Sequence, residues 1–181
     1  MTRTLEVAIA AGGTAGHINP AIALAEELRS RGHHVTFYGQ TAKLEGTLVP
    51  QAGSELVPIV VTGFDRSRPW TLVSALVRER SATSQILARF GESGVPDVAI
   101  GFGAYVELPL ISACHAEGVP VVLHEQNSVP GLANKTSAKR AARVCVSLPQ
   151  AIPAFSDRVS DPGAIVVTGN PVRQSVVTAD H

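Results

Sequence analysis

A histidine set directly behind three glycines, in the run Gly12-Gly13-Thr14-Ala15-Gly16-His17, is the first place where residue types suggest chemistry. An imidazole with an ordinary pKa of about 6.5 exchanges protons near neutral pH. Glycines let the backbone turn sharply and approach another group, and the amides that open a following helix favour an anion. The run therefore suits an anion or a sugar, with His17 as a base or a positioning hydrogen-bond partner; a tight strand-to-helix turn with glycines for geometry alone fits equally. Two more clusters follow. Gly101-Phe102-Gly103-Ala104-Tyr105 repeats the glycine-rich pattern, and His124-Glu125-Gln126-Asn127 sets four polar residues side by side. Cys114 and Cys145 lie in apolar runs without ligand spacing, which reads as buried reduced thiols of a cytosolic compartment and predicts no metal site.

Alternating strands and helices must position these residues. Apolar and β-branched runs predict strands over 5–10, 34–38, 56–61, 97–100, 120–123, 143–147 and 164–168. Asn19 as N-cap and Pro20 at the first helical position predict a helix over 20–31, stopped by Gly32. Further helices are expected over 43–49 (ended by Pro50), 70–90, 106–117 (Pro109 in its first turn) and 129–141. Pro58 suits an edge strand, and 62–69, with Gly63, Asp65, Arg66, Arg68 and Pro69, reads as a loop. The fold class is thus α/β: one Rossmann-like, doubly wound parallel sheet whose glycine-rich and polar loops gather at its carboxyl edge.

Composition narrows the function. Fifteen Lys plus Arg balance fifteen Asp plus Glu, which argues against a general nucleic-acid binder. The N-terminus carries Arg3 but no long apolar segment, so any membrane association is expected to be peripheral. Gly12, Gly13 and Gly16 miss the dehydrogenase spacing, and Gly39-Gln40 stand where a ribose-holding acid belongs. His17-Ile18 replace the Lys and Ser/Thr of a P-loop, and a GxSxG nucleophile elbow is absent.

Taken together, Gly12-Gly13-Thr14-Ala15-Gly16-His17, Asn19-Pro20-Ala21, Gly101-Phe102-Gly103-Ala104-Tyr105, His124-Glu125-Gln126-Asn127, Gly131-Leu132-Ala133-Asn134-Lys135 and Gly169-Asn170-Pro171-Val172-Arg173 resemble the bacterial MurG family. The resemblance implies the N-terminal half of a GT-B glycosyltransferase. Residues 1–173 would form the acceptor-side domain and 174–181 a tail or the start of an interdomain linker, with the C-terminal donor-binding domain absent. The implied activity is inverting transfer of GlcNAc from UDP-GlcNAc to the C4 hydroxyl of MurNAc in lipid I, giving lipid II, by the full-length protein and not by this half alone. Two alternatives remain: a noncatalytic, membrane-anchoring or acceptor-binding half of a split GT-B enzyme, and a UDP-GlcNAc epimerase-like GT-B domain.

The same resemblance assigns His17 as catalytic, and Thr14, Ala15, Gly16, Asn127 and Arg173 to the donor sugar nucleotide. Gly13, Gly103, Ala104, Tyr105 and Glu125 are acceptor candidates. Asn127 as a helix cap and Arg173 as a solvated tail residue are the plain alternatives. Family members often have glycine at the place of Ala15, and a glycine and a small polar residue where Ala104 and Glu107 stand; Glu107 is expected to bring a charge near the acceptor's pyrophosphate. Trp70, Leu72, Val73 and Leu76, with Val77, Arg66, Arg68, Arg78 and Arg80 beside them, are candidates for contact with an anionic inner leaflet, against ordinary packing on the sheet. Implied partners are UDP-GlcNAc, lipid I, that leaflet, and cell-wall and division proteins, with no nucleic acid and no cofactor. The implied location is cytoplasmic, peripheral on the cytoplasmic face of the bacterial cell membrane.

Overall fold

The computed structural model describes residues 3–62 and 70–173. The predicted loop residues Gly63, Asp65, Arg66, Arg68 and Pro69 and the tail 174–181 lie outside them. Seven strands form one parallel sheet in the order β3-β2-β1-β4-β5-β6-β7. They are β1 (Glu6–Ala10), β2 (His34–Gly39), β3 (Glu55–Pro58), β4 (Val98–Gly101), β5 (Val121–Glu125), β6 (Arg143–Val146) and β7 (Ile165–Val167). β1 pairs with both β2 and β4, so the winding reverses beside it. In a doubly wound sheet that reversal opens a crevice beyond the strands' carboxyl ends, where the loop after β1 lies. Pro58 ends the edge strand β3, as its missing donor requires.

Side chains alternate across β1. Val7 and Ile9 face a core with Ile18, Ala21, Ile22 and Ala25 of α1 (Ala15–Ser30) and Val49 of α2 (Glu45–Gln51). Ala8 and Ala10 face a second core with Ala82, Ile86 and Phe90 of α3 (Thr71–Ser93) and Leu110, Ile111 and Cys114 of α4 (Glu107–Ala116). The helices thus cover both faces. Cys114 is buried as expected, whereas Cys145 is only half-buried; both are free thiols, raised by burial, Cys114 to about 12.

Several expected boundaries move. α1 starts at Ala15, behind an extended Thr14, and Asn19 is not its cap. The amides of His17 and Ile18 both bond the Thr14 carbonyl, so a full turn is wound before Pro20, which then sits inside the helix and leaves the Gly16 carbonyl without its usual donor. Pro50 likewise lies inside α2, because Ala52 N still reaches the Leu48 carbonyl at 3.1 Å. α5 (Leu132–Ser137) is much shorter than expected: Pro130 disfavours helix at Val129, extended Gly131 is the cap, and the chain tightens to a 3₁₀ turn over Ala138–Arg140. Two further 3₁₀ turns, Pro149–Ala154 and Pro162–Ala164, carry no apolar period and were not expected.

Candidate active site

Each of three loops at the carboxyl edge is held from behind by a buried glutamate. Glu45, opening α2, accepts from Gly13 N in the first loop and from Gln40 N after β2, both at 3.3 Å. A Cβ at Gly12 would lie 2.7 Å from Glu45 Oε1, so only glycine admits the carboxylate there. Glu107 accepts from Gly103 N of the second loop at 2.6 Å and from Ser137 Oγ at 3.2 Å. Glu125 Oε1 accepts from Asn127 N and Nδ2, at 2.9 and 3.0 Å, and its Oε2 from Gly131 N and Asn134 Nδ2, at 3.1 and 3.0 Å. A buried carboxyl oxygen that takes a loop amide holds the loop in place, because losing it would leave that amide unpaired away from water.

His17 lies half-buried in the first turn of α1, where its Nδ1 bonds Thr14 Oγ1 at 2.8 Å. If Nδ1 carries the proton and donates to the threonine, Nε2 keeps its lone pair. The ring rests against the second loop: a Cβ at Gly103 would be 3.1 Å from His17 Cδ2 and 3.3 Å from Nε2. Burial lowers the His17 pKa and the Glu125 carboxylate opposes this, so the imidazole is mainly neutral at pH 7.

The α1 N-terminus separates two pockets. One, of about 190 Å³, is lined by His17 with Gly103, Ala104, Tyr105, Glu125 and Asn134, so four of the five acceptor candidates share it; Gly13 stands behind Ala104. The other, of about 480 Å³, is lined by Ala15, Gly16, Asn170 and Arg173 among others. Three donor candidates therefore meet there, at the helix end whose leading amides and dipole favour an anion. Thr14 stands between the pockets through His17, and Asn127 lines neither.

The structure also corrects several roles. Arg173 is no solvated tail residue: its Nε and Nη2 donate to Glu26 Oε1 at 3.1 and 2.7 Å. Asn127 does not cap α5, which Gly131 does; its amide is tied to Glu125 instead. The oxygens of Glu125 are engaged by the loop they hold, which makes it a brace at the pocket wall. Glu107 presents no charge to the pocket beside His17, because it is fully buried and its pKa rises to about 8 through burial. Ala104 adopts φ 66°, a conformation that favours glycine and explains why glycine suits that place. His124 and Glu125 belong to β5 rather than to the loop beyond it.

Glu45 and Asn134 were not among the sequence candidates. Asn134 bonds the His124 carbonyl and Glu125, and its buried Oδ1 has no hydrogen-bond partner among the described residues. A polar residue inside a short apolar segment was the available signal for both. Beside the His17 pocket, and sharing Tyr105, Leu132 and Ala133 with it, a pocket of about 350 Å³ runs to Leu72 and Leu76 of α3. Trp70 is 72% exposed and Val73 67%, and Leu72, Leu76 and Val77 are exposed as well, so the first half of this segment is not packed on the sheet. Among the described residues no helix is long and apolar enough to cross a membrane, and no group of three His, Cys, Asp or Glu side chains is placed to hold a metal.

A family profile described as the glycosyltransferase family 28 N-terminal domain matches residues 7–146, the span that carries all three braced loops. The chain belongs to this family. It is 38% identical over 182 residues to the UDP-N-acetylglucosamine–N-acetylmuramyl-(pentapeptide) pyrophosphoryl-undecaprenol N-acetylglucosamine transferase of Moorella thermoacetica, covering 98% of this chain and 47% of that protein. The crystal structure of Acinetobacter baumannii MurG superposes with a TM-score of 0.74 at 28% identity, over 98% of this chain and 47% of that one. Anabaena HepE, solved with UDP-glucose, has a TM-score of 0.61 at 15% identity over 92% of this chain and 44% of its own, which shows the fold alone. The chain thus spans about half the length of the relatives it matches, and its fold is the N-terminal half of the GT-B architecture. Within the family domain, His17 and all three braced loops fall inside the matched residues, whereas Arg173 lies beyond them.

Proposed function

We propose that this chain is the acceptor-side half of a MurG-type transferase, which moves GlcNAc from UDP-GlcNAc to the C4 hydroxyl of MurNAc in lipid I with inversion. The observation that carries the reading is the place of His17, on the turn between an acceptor pocket and a pocket at the α1 N-terminus. With Nδ1–H donating to Thr14, His17 Nε2 takes the proton of the acceptor hydroxyl. The oxygen attacks C1 of GlcNAc, the bond from C1 to the diphosphate oxygen breaks, and UDP leaves with the electron pair. The opening amides of α1 stabilise charge on the diphosphate. Arg173 joins them only after leaving Glu26.

Trp70, Leu72, Val73 and Leu76 rest on the anionic inner leaflet, with exposed Arg78 and Arg80 nearby, and bring the polyprenyl end of lipid I to the cleft. Uridine is held by a donor-binding half, supplied by further chain or a second polypeptide. The test is transfer to a soluble lipid I analogue by this chain joined to such a half. Replacement of His17 with alanine is expected to lower kcat by a factor on the order of 10²–10⁴, and an unchanged kcat would remove His17 from the chemistry.

A further inference from the structure

We infer that Glu107 is a positioning residue for the transfer: through the amide of Gly103 it sets the backbone on which the His17 ring rests. The inference deepens the function proposed above and rests on it for the role of His17.

Glu107 opens α4, and its side chain turns back instead of following the helix axis outward. It is fully buried. Oε2 takes the Gly103 amide at 2.6 Å and Oε1 meets Ser137 Oγ at 3.2 Å, so one carboxyl ties the second loop, α4 and α5 together. Gly101 is glycine for the same reason, since a Cβ there would lie 2.6 Å from Oε2. Gly103 at φ 90° and Ala104 at φ 66° then turn the loop in two successive left-handed steps under the imidazole. A Cβ at Gly103 would meet the ring at 3.1 Å, so no flexible side chain intervenes between the braced backbone and His17.

The ionisable neighbours that face this carboxyl are few. Glu125 on β5 acts on it by repulsion, Ser137 and Gly103 supply the hydrogen bonds, and burial dominates, pushing it up to about 8. Near neutral pH the carboxyl holds its proton. Oε2 accepts the Gly103 amide and Oε1 accepts the Ser137 hydroxyl. Glutamine keeps an uncharged carbonyl oxygen for the Gly103 amide, and the Ser137 hydroxyl can turn to accept from its NH2, whereas alanine leaves the Gly103 amide unpaired.

NMR on the isotope-labelled 181-residue chain tests this without any turnover. In the wild type, the Gly103 amide shift should titrate with a midpoint near that of Glu107, and this component should vanish in Glu107→Gln, while His17 ring signals stay in place. In Glu107→Ala, Gly103 exchange should quicken by about tenfold or more and the His17 signals should move, with β1 and β5 amides keeping their protection. A Gly103 shift that stays flat in the wild type, or titrates equally in Glu107→Gln, overturns the inference, even should the alanine variant fail to fold. So does an alanine variant in which Gly103 and β1 exchange quicken by one common factor. Absent transfer by the wild type joined to a donor half would count against the proposed function and leave these outcomes readable.

Discussion

Glu45, Glu107 and Glu125 do the same work in three loops, yet the sequence marked only Glu125 as a site residue and treated Glu107 as a charge out of place. Nothing in hydrophobic period tells a glutamate that points outward from one that turns back under a glycine; that depends on which loop faces it across the sheet. Glu45 shows this well. The sequence has no acid after β2, but the structure brings a carboxylate there from α2 and commits both oxygens to backbone amides. Glu45→Ala strands those amides and should lower stability by about 2–4 kcal/mol in urea unfolding, with Glu45→Gln costing less. Glu107 has the opposite pH signature from an ion-paired acid. Its folded pKa is raised from 4.5 to about 8, so its contribution is fully present below about pH 4.5 and is lost as pH climbs to about 8. Glu107→Gln should therefore gain on the wild type across that window by about 1.4 kcal/mol per pH unit at most, and unfolding curves at pH 5, 7 and 9 will read it. Ala104→Gly should add about 0.5–1 kcal/mol by relieving the φ 66° backbone. His17, lowered by burial, places the acid limb of kcat/KM below pH 6.5.

α3 divides into two halves with different work. Ala82, Ile86 and Phe90 bury its second half against the sheet, while Trp70, Leu72, Val73, Leu76 and Val77 leave its entrance apolar and exposed. The sequence showed one continuous helical pattern; packing on the sheet holds for the second half, and the first half is exposed, which is where membrane contact is proposed. Replacing Trp70 and Val73 with serine should weaken binding to anionic vesicles by about tenfold or more with little change in Tm. Ile86→Ala should do the reverse, costing about 2–5 kcal/mol of stability and leaving vesicle binding of the folded protein unchanged. Helix ends were read less well than helix bodies. Asn19-Pro20 looks like a start because the turn ahead of it is glycine-rich and lacks an apolar period, and it is that unmarked turn which carries His17.

At the scale of the molecule, the alternation of apolar strands with amphipathic helices made the doubly wound sheet legible, since each buried strand announces itself by β-branched runs and each crossover by its length. Strand order, and with it the switch beside β1, comes from packing across the sheet and was not readable as spacing. The family domain, the two pockets on either side of α1 and the exposed α3 entrance together support the proposal of half a cleft with His17 as its reacting group. The most direct measurement is GlcNAc transfer to a soluble lipid I analogue, with radiolabelled UDP-GlcNAc, by the 181-residue chain alone, by the chain joined to a donor-binding half, and by the joined protein carrying His17→Ala. The account predicts no product from the chain alone, lipid II analogue from the joined protein, and a loss in the His17→Ala form by a factor on the order of 10²–10⁴. Robust product from the chain alone, or full activity without the imidazole, would contradict it.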